Sequence, residues 1–206
     1  SLSEAGYDVS LIVADGLGNE TKQGVKIIDV GRAEASRIKR MIRTSRKAVD
    51  LALGMNADIY HFHDPDLLIE ALRLRKKACV IFDSHEDFPA LMKQRDYIPD
   101  FARKVLFRLC TLIEKYSAKR LSAVVCATET IQDKFARYGN IRAVVVKNYP
   151  VFSSCESETT NSYDTTKPVC YVGGLTALRG VKEMVEACNK AGVKLLLAGE
   201  FDNQAY

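Results

Sequence analysis

Short runs of β-branched and aliphatic residues, four to seven long, alternate along this chain with longer stretches of helical period. That rhythm limits the fold more than any single motif. The runs are Asp8 to Ala14, Val25 to Val30, Ile59 to His63, Cys79 to Phe82, Ala123 to Ala127 and Ala143 to Val146. Between them, helical spacing is expected over Ser36 to Met55, from Asp64 to about Lys76, from about Asp100 to Lys119, and from Thr128 to Tyr138-Gly139. Strands separated by helices give βαβ units and a parallel sheet, so an α/β, Rossmann-like doubly wound domain is expected to about residue 150.

The composition from Ser153 to Lys167, SSCESETTNSYDTTK, is polar and aperiodic. It reads as a linker, 151–167, of the kind that cannot bury enough apolar surface to order itself. Beyond it the α/β rhythm restarts: a strand at Val169 to Val172, a Gly173-Gly174 turn, a helix from Gly180 to Ala191 and a strand from Val193 to Ala198. Residues 168–206 therefore read as the beginning of a second Rossmann-like domain. At the other end, Leu2 to Gly6 resembles the last turn of a helix closed by glycine, which suggests that a first strand precedes the sequence.

Composition narrows the class. Of 206 residues, 47% are hydrophobic and 27% charged, the balance of a chain able to bury a core. No run approaches the ~20 apolar residues of a membrane span. The net charge of +4 does not argue for nucleic acid. Six scattered cysteines, mostly inside apolar runs and without a Cys-x-x-Cys pair, read as buried free thiols of a reducing cytoplasm. Between Arg37 and Lys47 lie six basic residues, opposite an apolar face of Ile38, Met41, Ile42, Ser45, Val49 and Ala52. This is a solvated helix face or, alternatively, a contact of 36–55 with an anionic membrane. The helix from Asp100, taken as its own cap, should bury Val105, Leu109, Leu112, Ile113 and Tyr116.

Polar residues gather where two strands end. VIFDSHEDFP, Val80 to Pro89, runs from a strand directly into carboxylates and an imidazole, and Asp58-Ile-Tyr-His-Phe-His63 followed by Asp64-Pro65-Asp66 repeats the grammar. In an open α/β sheet, ligands collect past the carboxyl ends of strands. His85 is the main candidate, since packing gives no reason for it there. His63 is either a helix-start partner or a cleft residue, whereas His61, sharing its strand face, reads as a core histidine. Asp83 and Asp87 are expected to cap the following turn. His63-Asp64 and His85-Glu86-Asp87 could ligate a metal, but established zinc spacings are absent and no metal is expected. Gly173-Gly174 and Arg179-Gly180 sit between a strand and a helix, where amides and a guanidinium can receive a phosphate.

In chain order these pieces resemble a GT-B glycosyltransferase of the retaining family four. Ala5-Gly6-Tyr7-Asp8-Val9 is similar to that family's step into its second strand, and Asp58 to Asp66 to its "DVVHAHDPD" stretch. Phe82 to Pro89 is similar to its "DxHExxP" loop, Val144 to Pro150 to "VVxNxP", and Tyr171 to Gly180 to "YVGRLxxxKG". The resemblance implies transfer of a sugar from a nucleotide-diphosphate donor, without cofactor and usually without metal at the diphosphate. It places His85 beside the transferred sugar and His63, Asp64, Glu86 and Asn148 at the substrate. Gly173, Gly174, Arg179 and Gly180 would meet the donor diphosphate. Gly174 stands where the family commonly has a second diphosphate-binding Arg, and the paired-glutamate motif is absent. The acceptor would be a glycan or lipid-linked sugar, as in surface polysaccharide assembly. A nucleotide-sugar 2-epimerase of the same fold, a noncatalytic sugar- or nucleotide-binding module and a metal-dependent hydrolase are the alternatives.

Overall fold

The computed structural model describes residues 2–94, 98–149 and 167–201. The chain divides into two compact units, 1–150 and 151–206. Most of the polar stretch 151–167, together with Cys155, lies outside the described residues.

In the first unit, Leu2 to Gly6 forms a turn in which Gly6 donates to the Ser3 carbonyl and Tyr7 to that of Leu2. Gly6 takes φ +88°, a conformation that glycine enters without steric cost. Strands β1 (Ser10–Val13), β2 (Glu20–Lys22) and β3 (Val25–Asp29) follow. β1 and β3 pair in parallel, and β2 adds to β3 in antiparallel fashion, so part of the expected Asp15–Gly24 loop is a hairpin arm. The Asp29 carboxylate ties the β1–β2 loop down by accepting from the amides of Gly16, Gly18 and Gly31. Those bonds, led by the one from Gly18, hold its pKa below the ordinary value.

The basic segment is helical but not uniform. A turn of α-helix, α1 (Arg37–Lys39), passes through a π-helical stretch (Arg40–Thr44) into α2 (Ser45–Met55). Ser45, Val49 and Ala52 are buried as their spacing predicts, whereas Ile38 and Ile42 of the same expected face are exposed. Its cations are partly committed within the chain. Arg40 meets Asp66 at 3.0 Å, Arg43 meets Glu34 at 3.5 Å and Arg46 meets Asp50 at 4.0 Å.

Strands β4 (Ile59–Phe62), β5 (Cys79–Ser84), β6 (Ala123–Cys126) and β7 (Ala143–Val145) form one parallel sheet in sequence order. Between β4 and β5 the expected α-helix is instead two 3₁₀ segments, Pro65–Leu67 and Glu70–Lys76, with Asp64 capping the first. After β5 come the single turn α3 (Phe88–Leu91) and the long α4 (Asp100–Ala118), whose N-cap is Pro99 rather than Asp100. α5 (Glu129–Tyr138) starts where Thr128 accepts from the Ile131 amide.

The core lies where Tyr60, Phe62, Val80, Phe82, Val124 and Cys126 on one sheet face meet Val49 and Ala52 of α2, Leu68, Ala71 and Leu74 of the 3₁₀ segments, Ala118 of α4, and Ile131 and Phe135 of α5. The Phe82 and Phe135 rings meet edge to face at 6.4 Å. Each such buried ring contributes about 1.5–3 kcal/mol.

Two expectations fail here. On α4, Val105, Leu109, Leu112 and Tyr116 are exposed, and the side turned inward carries Glu114, Ser117 and Ala118, with Ile113 packed at the margin. The inward side joins a buried polar network: Lys134 reaches Glu114 at 2.9 Å and the Tyr138 hydroxyl donates to it at 2.7 Å. The thiols also differ, for Cys126 is buried but Cys79 and Cys170 are exposed. Cys79 falls on the face of β5 opposite Val80 and Phe82, which the core does not cover.

The second unit contains β8 (Val169–Val172), a 3₁₀ turn (Ala177–Arg179), α6 (Val181–Ala191) and β9 (Leu195–Ala198), with β8 and β9 parallel. No described helix is long and apolar enough to cross a membrane.

Candidate functional site

β4 and β5 run side by side with His61 opposite Ile81 and Phe62 opposite Phe82. The two-residue period of a strand therefore sends Tyr60, Phe62, Val80 and Phe82 to the core, and His61, His63, Asp83 and His85 to the other face. All four polar residues meet at the carboxyl ends of the two strands. His61 Nε2 lies 3.1 Å from Asp83 Oδ2, and His63 Nδ1 lies 3.4 Å from the same oxygen. His85 Nε2 is 3.6 Å from Asp83 Oδ1 and 2.8 Å from His63 Nδ1. The rings of His61 and His63 stack at 4.9 Å, and those of His63 and His85 at 5.0 Å.

The carboxylate is the anchor of this group. Asp83 is buried beneath three more exposed imidazoles. Burial pushes the His63 pKa down, the Asp83 charge opposes that, and the neighbouring His61 and His85 reinforce it. The contact between His63 and His85 needs one ring to donate and the other to accept.

His85 also lines a pocket of about 450 Å³ together with Ala127, Thr128, Glu129, Lys147, Asn148 and Tyr149. That volume falls within the range typical of small-ligand sites. The pocket lies over the amino end of α5 and the chain leaving β7. Glu129 and Lys147 pair at 2.7 Å across it, which lowers the carboxyl pKa and raises that of the ammonium.

The expected site residues thus fall into three places. His63 and His85 touch one another, and Asn148 shares the pocket with His85. Asp64 accepts from the Asp66 amide at 2.9 Å as the cap of its 3₁₀ turn, and Glu86 is exposed, its carbonyl accepting from Ser84 Oγ. Gly173, Gly174, Arg179 and Gly180 lie in the second unit between β8 and α6, with Gly180 at φ +69° and Arg179 exposed. His61 is no core residue, because its side of β4 lies outside the packed face. Asp83 does not cap a turn; it receives the imidazoles. Asp87 does cap, accepting from Ala90, and is itself held by Lys134 at 3.2 Å. Thr128, Glu129 and Lys147 joined the site only through tertiary structure. For His61 and Asp83 the signal was present: residues 61, 63, 83 and 85 share the parity that the paired strands require.

The family model for Glycosyltransferase Family 4 matches residues 1–148. The chain belongs to that family. Among solved structures, the chain is similar to the sucrose-phosphate synthase of Thermosynechococcus elongatus, with a TM-score of 0.67 and 17% identity. The likeness covers 98% of this chain and 55% of that one, so the chain spans about half the length of that relative. At that identity the match shows the fold, which is that of a GT-B glycosyltransferase. No curated protein sequence matches the chain.

Proposed function

We propose that the chain serves a retaining glycosyl transfer, moving a sugar from a nucleotide-diphosphate donor to a glycan or lipid-linked acceptor in surface polysaccharide assembly. A cytoplasmic location belongs to the same reading, and the donor enters as substrate rather than as a cofactor. The observation that supports it most is the placement of His85. Its imidazole stands at the end of β5, braced by His63 and Asp83, and faces a pocket that also offers Lys147 and Asn148.

In this reading the His85 ring sits against the transferred sugar and hydrogen-bonds it as charge develops at the reacting carbon. His63, Asn148, Asp64 and Glu86 supply further polar contacts to substrate. In the second unit, the amides around Gly173, Gly174 and Gly180 and the Arg179 guanidinium receive the departing diphosphate, as a helix start and a bidentate cation do for phosphate groups.

The test is His85→Ala in the whole gene product, assayed with labelled nucleotide sugars and a panel of acceptors. Turnover should fall by around a hundredfold, the scale on which a misplaced reacting group is felt, with an unchanged melting temperature. The side chain is 44% exposed, so little packing is lost. Normal specific activity with a lowered melting temperature would refute the assignment. Product formed without any acceptor would point to epimerisation instead.

A further inference from the structure

We propose that His61, His63 and Asp83, with His85 beside them, form a binding site for a divalent transition metal ion of the zinc class. Ligand atoms from His61, His63 and Asp83 all lie within 4.8 Å of one another. The separations of His61 and His63 from Asp83 Oδ2, and of His85 from Asp83 Oδ1, are near those between ligands of one ion. His61 to Asp83 is 3.1 Å, His63 to Asp83 is 3.4 Å, and His85 to Asp83 is 3.6 Å. Four ligands about 2.0–2.1 Å from a tetrahedral ion stand about 3.3 Å from each other. The His63–His85 approach of 2.8 Å is shorter than such an edge, so those two rings must part slightly to admit an ion.

Chemistry selects the ion. Imidazole nitrogens with one carboxylate suit zinc and its neighbours, whereas magnesium and calcium want oxygen shells. A carboxylate needs only one protonated imidazole to balance it. Three stacked rings on one carboxylate exceed that need, and protonating more than one would set like charges against each other. A shared cation satisfies three lone pairs and the buried charge at once. His61 and His63 are exposed, which leaves an entry path, while Asp83 is buried and fixed at the floor. The neighbouring Asp87, by contrast, has its carboxylate engaged by the Ala90 amide and by Lys134.

The experiment does not depend on the transferase reading, because it measures binding. The whole gene product is stripped with chelator, dialysed, and titrated with Zn²⁺ by calorimetry and with Co²⁺ by visible absorption. One saturable site of micromolar or tighter affinity is expected. Its cobalt form should show the intense visible bands of four-coordination, lost on adding Zn²⁺ and unaffected by Mg²⁺. His61→Ala and His63→Ala should each weaken binding at least tenfold, since even partners of ligands are worth about 10–100-fold. Asp83→Asn should do the same. Circular dichroism should show the two histidine variants folded, as both side chains lie outside the core. A Cys79→Ser/Cys155→Ser/Cys170→Ser variant, which removes the thiols exposed among the described residues together with Cys155, should bind as the parent does. Binding only at millimolar metal, binding undiminished in His61→Ala and His63→Ala, or binding lost with the cysteines would each overturn the proposal.

Discussion

Lys134→Met tests the polar network beneath the site. Glu114 is fully buried and Lys134 only 12% exposed, with 2.9 Å between Nζ and Oε1. Removing the ammonium leaves a buried carboxylate with one remaining donor, the Tyr138 hydroxyl at 2.7 Å. Uncompensated buried charges cost about 3–5 kcal/mol, and the surviving hydrogen bond places this case near 3. For a chain of this size that is a fall of roughly 6–12 °C in melting temperature. The cost should depend on pH. Desolvation already raises the Glu114 pKa above its ordinary 4.5, against the lowering influence of Lys134 and Tyr138. Without Lys134 the folded-state value climbs further. An acid whose pKa is raised on folding favours the folded state below its unfolded pKa, and that contribution is lost as pH rises through the folded value. The deficit of Lys134→Met relative to the parent should therefore be small near pH 4–5 and largest in mildly alkaline buffer. Urea unfolding at both pH values reads it directly, and Glu114→Gln added to Lys134→Met should restore most of the loss. A deficit below about 1 kcal/mol, or one equal at both pH values, would refute the argument that an ion pair rather than packing holds α4 to α5.

Burial pushes the Cys126 thiol up to about 11, whereas Cys79 and Cys170 are exposed. Iodoacetamide at pH 8 should label Cys79 and Cys170 in the native protein and Cys126 only after denaturation; rapid native labelling of Cys126, read by peptide mass, would show the packing against β6 to be wrong. Three arginines of the 37–47 segment pair with acidic residues of the chain, so co-sedimentation with anionic and neutral liposomes should be equally weak. Binding that requires anionic lipid and fades with salt would instead support the membrane contact of 36–55.

The alternation of strand and helix was settled by local pattern, because a parallel strand buried on its core face must be apolar and its return helix must carry a stripe. β4, β5, β6, β8, α5 and α6 were legible within a residue or two for that reason. Thr128 as a cap and Gly6 as a closing glycine were legible too, since each acts on backbone groups a few residues away. Periodicity alone could not choose which face of an element is covered. α4 has an apolar side and a mixed side of comparable helical spacing, and the mixed side lies inward, where Glu114 meets Lys134 and Tyr138 of another helix. Cys79 sits in an apolar run like Val80, but sheet pairing sent one outward and the other to the core. The site divides in the same way. His85 was visible as an imidazole ending a strand without a packing reason. The union of His61 and His63 with Asp83 required the parallel register of two strands about twenty residues apart, and a register is a long-range fact that no local window contains.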